Sequence, residues 1–397
     1  MTYDFDTIIH RRGSGCYKWD ECGQPDVIPM WVADMDFQAA PPIRQALQRR
    51  LDHGVFGYTL VTESYYRAIQ SWFERRHQWH VERSWIMYTS GVVPALSAII
   101  KAFTQPGDGV VLLTPVYNCF FSSVRNNGCE AVECGLECSV ERADSKLIYT
   151  IDFDSLDALC ADPRTRLLVL CNPHNPVGRV WTRRELQRVA QICRSHDVVV
   201  VSDEIHCELC YEGRRYVPFG TIDMENAIIC TSPSKSFNIA GLQNANIICS
   251  RAEWRAKIDR AINQNEVCDV NPFGVVATEA AYDEGEPWLD ALCHYLWLNY
   301  QALLAFFADR LPQLPIAPLE GTYLVWVDTR PTGLASDDLA ERLLCEGRVQ
   351  VNSGTMYGQD GFVRLNIACP RSQMMEGLNR LASVVAPMLA EKADGKG

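Results

Sequence analysis

The sequence predicts an α/β fold, with a mostly parallel sheet between helices in its larger part and a small α+β unit after about residue 287. Three observations carry this. From Trp85 onward short apolar runs alternate with helical patterns. Several runs, such as Val198-Val-Val-Val201, are continuously β-branched, as in strands buried on both faces. Beyond Pro287 the spacing changes to helices and strands on a smaller scale.

The elements follow in order. The first 40 residues hold Gly, Pro and Trp without periodicity and suggest an extended arm, taken as residues 1–45. A larger unit, 46–286, has strand candidates at Trp85–Thr89, Val110–Leu113, Leu167–Cys171, Val198–Ser202, Ala227–Thr231 and Asn246–Cys249. Helical stretches such as Val93–Phe103 and Thr182–His196 lie between them. The smaller unit, 287–397, starts with a helix at Trp288–Leu311 and continues through a strand at Thr322–Val327. A helix at Ser336–Cys345, a strand at Phe362–Ile367 and a helix from Ser372 complete it, and the polar tail from Glu391 is expected to fray.

Composition narrows the function. The 397 residues are 47% hydrophobic and 22% charged, enough for a sizeable core. A formal charge of -12, with basic residues only in pairs such as Arg183-Arg184, argues against nucleic acid or an anionic membrane as partner. No apolar run nears the ~20 residues of a membrane span. The start Met1-Thr-Tyr-Asp-Phe-Asp lacks the apolar core of a signal peptide. Many of the 17 cysteines sit in apolar runs (Cys171, Cys230, Cys249), so a reduced cytoplasm is expected.

The chemistry centres on Ser232-Pro-Ser-Lys235-Ser-Phe-Asn, just past an apolar run. A lysine at the end of a buried strand is costly unless paired or used, and burial makes its amine nucleophilic. Hydroxyls and backbone N–H groups around it suit a phosphate. Lysine plus phosphate site is what pyridoxal phosphate needs. A solvated lysine in a Ser-rich loop fits the segment alone equally well.

Four further segments bear on this lysine. Ser90-Gly91-Val92-Val93 opens a helix, where N–H groups bind anions. Asn175, in the second of two Asn-Pro pairs and ahead of Gly178, sits in a rigid loop and either presents an amide to a ligand or simply turns the chain. Asp203 ends the four-valine run and wants a cation, for which a protonated pyridine nitrogen serves; a structural N-cap is the alternative. Arg364, inside a strand-like run, suits a carboxylate clamp or a structural salt bridge. Strand ends at the carboxyl side of an open sheet are where ligands bind, so these loops are expected to converge. Cys207-x-x-Cys210 lacks a second pair at zinc-site spacing, and no metal is expected.

Together Asn175-Pro-Val-Gly, Asp203, Ser232-x-Ser-Lys235 and Arg364 resemble fold-type I pyridoxal phosphate enzymes of the aminotransferase class I/II superfamily. Trp31-Val-Ala-Asp-Met-Asp-Phe37, Phe56-Gly-Tyr58, Ser202-Asp-Glu-Ile-His206, Lys235 through Gln243 and Gly321-Thr-Tyr-Leu-Val-Trp326 are similar to the MalY/PatB group of cystathionine β-lyases. The resemblance implies a seven-stranded sheet and assigns roles. Lys235 would bond the cofactor and move the α-proton. Asp203 would pair with the ring nitrogen and Asn175 would bond the ring oxygen, with His206 where many relatives carry a tyrosine. Tyr117 would stack on the ring. Gly91, Val92, Val93, Ser232 and Ser234 would hold the phosphate, helped by Tyr58 of a second copy in a homodimer. Arg364 would clamp the substrate carboxylate, beside Asn175, Tyr117 and Ala33 of the closing arm. Gln243 stands where aminotransferases usually carry a phosphate-binding arginine, which favours β-elimination of cystathionine or related cysteine conjugates over transamination.

Overall fold

The computed structural model describes residues 3–141, 146–211 and 213–393. The arm contains Ile28–Pro29 (β1). Ile86–Thr89 (β2), Gly109–Thr114 (β3) and Glu130–Gly135 (β4) follow, then a hairpin of Glu137–Glu141 (β5) and Lys146–Thr150 (β6). Thr165–Cys171 (β7), Val199–Asp203 (β8), Ala227–Thr231 (β9) and Ala245–Ile248 (β10) come next. Leu324–Asp328 (β11), Val349–Gln350 (β12), Asn352–Ser353 (β13) and Phe362–Asn366 (β14) lie beyond.

The main sheet has seven strands in the order β2-β10-β9-β8-β7-β3-β4. It is mostly parallel; β10 runs antiparallel to both its neighbours. Every strand expected there forms, with ends displaced by two residues at most. The strand not foreseen is β4, Glu-Ala-Val-Glu-Cys-Gly, a largely exposed edge strand whose two glutamates disguise it and discourage further pairing.

Alternation along each strand splits the core into two layers. Val111 and Leu113 of β3 and Leu168 and Leu170 of β7 face one side; Val110, Leu112, Leu167 and Val169 face the other. The second side is covered by the helices Val92–Phe103, Asn118–Asn126 and Ala252–Asn263 through Leu96, Ile99, Phe120 and Ile258. The first packs on Glu63–His77, Arg183–Ser195 and Glu286–Arg310 through Trp72, Leu186 and Leu292. The helix Arg183–Ser195 starts at a capping box: Thr182 accepts from the Glu185 N–H, and Glu185 accepts from Thr182 N.

A second, antiparallel sheet, β11-β14-β13, sets Arg364 between Trp326 and Asn352. The arm is not wholly extended. It includes a short helix, Tyr17–Asp20, and β1 pairs with β12. Thr322, expected to begin a strand, has φ +69°, and its hydroxyl accepts from Leu324 N, so β11 starts two residues later. The last helix spans Arg371–Ala393; residues 394–397 of the expected frayed tail lie outside the described residues.

Candidate active site

A cavity of about 190 Å³ opens at the carboxyl ends of β7, β8 and β9, walled by Gly91, Tyr117, Asn175, Asp203, His206 and Lys235 among others. Topology brings these residues together because parallel strands deliver their following loops to one edge of the sheet.

Asp203 is the last residue of β8 and is buried. Its Oδ1 accepts from Ile205 N at 3.1 Å, and turns rather than a helix follow, so it caps no helix. Burial pushes its carboxyl up to about 7 against the pull of the Ile205 N–H and the Lys235 charge. Lys235 follows β9, and its Nζ donates to Ala33 O at 2.7 Å. Burial, aided by the Arg364 charge, pushes its amine down to about 8.

Asn175 turns its Oδ1 to Arg364 Nη1 at 3.1 Å. Arg364 Nη2 donates to Trp31 O at 2.7 Å, its guanidinium lies 4.9 Å from the Tyr357 ring centre, and its buried Nε has no partner. His206 is buried with Nδ1 unpartnered. Burial first, then the Lys235 and Arg364 charges, hold its imidazole neutral. Tyr117 immediately precedes the helix Asn118–Asn126, and burial pushes its phenol upward.

Gly91 stands at the N-cap of the helix Val92–Phe103, so the first-turn N–H groups at Val92 and Val93 are free for an anion. A Cβ on Gly91 would come within 3.2 Å of Pro94 Cδ. Ser234, Gln243 and Ala33 also line the cavity. Ser232 does not; its hydroxyl donates to Asn244 O at 2.6 Å and accepts from Ser234 N, shaping the loop from behind. Tyr58 is 99% exposed and stands outside the lining.

The site therefore offers an underpaired carboxyl, a nucleophilic amine, an anion-binding helix start and two buried ring or guanidinium nitrogens without partners. A flat pyridine ring bearing a phosphate and an aldehyde fits that donor set.

The Cys207-x-x-Cys210 stretch lies behind this wall, and burial pushes both thiols up. Among the described residues the possible metal ligands His77, Cys207 and Glu208 stand within 4.8 Å of one another, but Glu208 is already hydrogen-bonded by Trp72 and His77.

Sequence reasoning passed over Tyr323, Asn238 and Asn366, which hold the arm at the cavity mouth: Tyr323 on Ala33 O, Asn238 on Met35 and Phe37, Asn366 on Val32 and Asp34. All three lie inside segments the sequence singles out, but their targets are backbone carbonyls, which side-chain patterns do not mark.

The profile of the family described as Aminotransferase class I and II matches residues 25–381. The chain belongs to that family. It is 40% identical to cystathionine beta-lyase PatB of Bacillus subtilis (strain 168), over 96% of this chain and 100% of that protein. It is 34% identical to protein MalY of Escherichia coli (strain K12), over 96% and 99%. The crystal structure of cystalysin from Treponema denticola, which contains pyridoxal 5'-phosphate, superposes with a TM-score of 0.93 at 35% identity, covering 98% of this chain and all of that one. The PLP-bound C-S lyase from Staphylococcus hominis gives 0.89 at 31% identity, covering 97% and 98%.

Proposed function

We propose that the protein is a pyridoxal phosphate-dependent carbon–sulfur β-lyase that cleaves cystathionine or related cysteine S-conjugates to a thiol, pyruvate and ammonia. The observation that carries this is the Lys235 amine, lowered to about 8, in one cavity with buried Asp203 and beside Arg364, in a chain 40% identical to a cystathionine beta-lyase.

When bound, the cofactor supplies an electron sink for the pair left at the substrate α-carbon. Arg364, whose Nη1 donates to Asn175, would hold the substrate carboxylate. Lys235 anchors the cofactor and, once free, takes the α-proton on Nζ; its lowered pKa leaves an appreciable neutral fraction at neutral pH. Asp203 would pair with the ring nitrogen and favour its protonated form. Tyr117, Asn175 and neutral His206 would hold the ring, and Gly91, Val92, Val93 and Ser234 would hold the phosphate. Ser232 supports that loop. The Cβ–S bond then breaks, the thiol leaves, and hydrolysis of the remaining fragment gives pyruvate and ammonia.

The same reading takes residues 1–45 as an arm, 46–286 as the cofactor unit and 287–397 as the smaller unit, in a homodimer whose Tyr58 serves the other copy's phosphate. The 17 free cysteines suit a reducing cytoplasm.

The test is product analysis. Purified protein given cystathionine and no keto acid should release thiol, pyruvate and ammonia in equal amounts. Lys235→Ala should lose about 10³-fold or more of that rate. Turnover that strictly requires a keto acid would make the protein an aminotransferase instead.

A further inference from the structure

Of the segment Trp31–Phe37 only Ala33 lines the cavity, and the segment meets Lys235 and Arg364 through backbone carbonyls. Its carbonyls are taken one after another. Trp31 O accepts from Arg364 Nη2 at 2.7 Å and Asn352 Nδ2 at 3.1 Å. Ala33 O accepts from Lys235 Nζ at 2.7 Å and Tyr323 OH at 2.8 Å. Val32 O and Asp34 O both accept from Asn366 Nδ2. Asn238, three residues past Lys235, clamps Met35 with both ends of its amide and also donates to Phe37 O at 2.8 Å. So the two cations of the site, Lys235 and Arg364, are aimed by main-chain oxygens whose place depends on what holds the segment from behind.

Besides Tyr323, Asn238 and Asn366, the segment is anchored from behind by Asp36. This carboxylate is 1% exposed and receives four donors. Oδ1 accepts from Arg11 Nη1 at 2.6 Å and Trp19 Nε1 at 2.8 Å. Oδ2 accepts from Lys18 Nζ and Gln373 Nε2, both at 2.9 Å. Lys18 is also 1% exposed and stands 3.5 Å from Asp34. A fully buried lysine and aspartate with four satisfied hydrogen bonds on the acid are costly to build and costlier to break singly, because removal of one leaves the other charge buried and unpaired. Such a pair fixes geometry more than it adds stability. No group of this pair reaches the cavity.

We propose that Asp36, with Lys18, is a positioning residue for the lyase reaction: it locks Trp31–Phe37 so that Trp31 O and Ala33 O orient Arg364 and Lys235. The inference rests on the roles proposed above for Lys235 and Arg364. Loosening the segment withdraws an acceptor from each cation and lets water reach Lys235. Substrate binding then weakens, and the amine moves back toward the ordinary lysine range. The charged and titratable groups facing Lys235 are Arg364, Asp34, Asp203, Cys119 and His206; those facing Asp36 are Lys18, Arg11 and Cys369.

The experiment compares native holoenzyme with Asp36→Asn by hydrogen exchange, by the KM and kcat split, and by the pH profile of kcat. Amides of residues 31–37 should exchange at least tenfold faster while Val199–Asp203 of the main sheet is unchanged. KM should rise about tenfold with kcat at its optimum within threefold of native, and the pH at which kcat rises should move upward. Unchanged exchange at 31–37 overturns the proposal, and so does faster exchange with KM and pH profile unmoved. If Asp36→Asn exchanges fast throughout, Lys18→Met/Asp36→Asn, which removes the stranded ammonium, replaces it under the same criteria. Exchange reads the lock without catalysis, so a failure of the lyase reading, seen as full turnover by Lys235→Ala, is told apart from a failure of this one.

Discussion

Asp203 ends a strand of valines and a serine and carries one hydrogen bond, from Ile205 N, so its proton governs stability as well as cofactor binding. With its carboxyl pushed up to about 7, the folded chain binds more protons than the unfolded chain between the ordinary carboxylate range and pH 7. Stability contributed by this group therefore falls as pH rises through that window, by about 4 kcal/mol, and is flat above it. In cofactor-free protein, Asp203→Asn should gain melting temperature over the native chain from about pH 5 to about 7 and keep that margin at higher pH. A margin that shrinks as pH rises would mean that the carboxylate is already well paired. Arg364 makes a different prediction. Its Nη1 and Nη2 are committed to Asn175 and Trp31, and only a planar fork can hold both at once. Arg364→Lys should raise KM for cystathionine roughly tenfold or more, seen in steady-state kinetics, with a smaller change in kcat.

At the scale of elements, the loop after β9 and the arm are joined through Asn238. Its φ of +56° lies in the left-handed region, which Asn tolerates better than most residues. Asn238→Ala loses three hydrogen bonds to the arm and puts alanine in a strained conformation, so unfolding free energy in denaturant titration should fall by about 2–4 kcal/mol. A loss under about 0.5 kcal/mol would show that the clamp is dispensable. This clamp also marks where the sequence stops being legible. Strands such as Ala227–Thr231 are visible because an apolar run, Ala227 to Cys230, is buried on both sheet faces. Glu130–Gly135 was hidden by its edge position, and the reversed direction of β10 leaves no local trace in Ala-Asn-Ile-Ile. Lys235, Asp203 and Arg364 stood out because a charge in an apolar run calls for an explanation. Ser232 stood out for the same hydroxyl that the fold turns inward, to Asn244 O. The arm's part in the site went unread because it acts through carbonyls, which every residue has.

At the scale of the whole molecule, the segment Val55–Leu60 is the least self-sufficient part of the surface. Val55, Phe56, Tyr58 and Leu60 are all more than half exposed, a concentration of apolar area that calls for a covering partner. Phe56 is braced from below by Phe273 and Arg50, so the segment is presented rather than loose. If a second copy covers it and Tyr58 reaches that copy's phosphate, each site in a dimer draws Lys235 from one chain and Tyr58 from the other. Two defects on different chains then become complementary. Tyr58→Ala should weaken cofactor binding in a dimer of identical chains, and Lys235→Ala should abolish turnover. In a mixed dimer, the Lys235→Ala chain supplies an intact Tyr58 to the site that still has Lys235. One complete site forms and one doubly defective site. Random mixing of equal amounts makes half the dimers mixed, so activity should recover to about a quarter of the native value per site. The measurement is lyase activity and cofactor retention after the two variants are unfolded and refolded together, against the same variants refolded apart. Activity equal to the mean of the two separate variants would mean that each chain completes its own site and that the exposed segment covers something else.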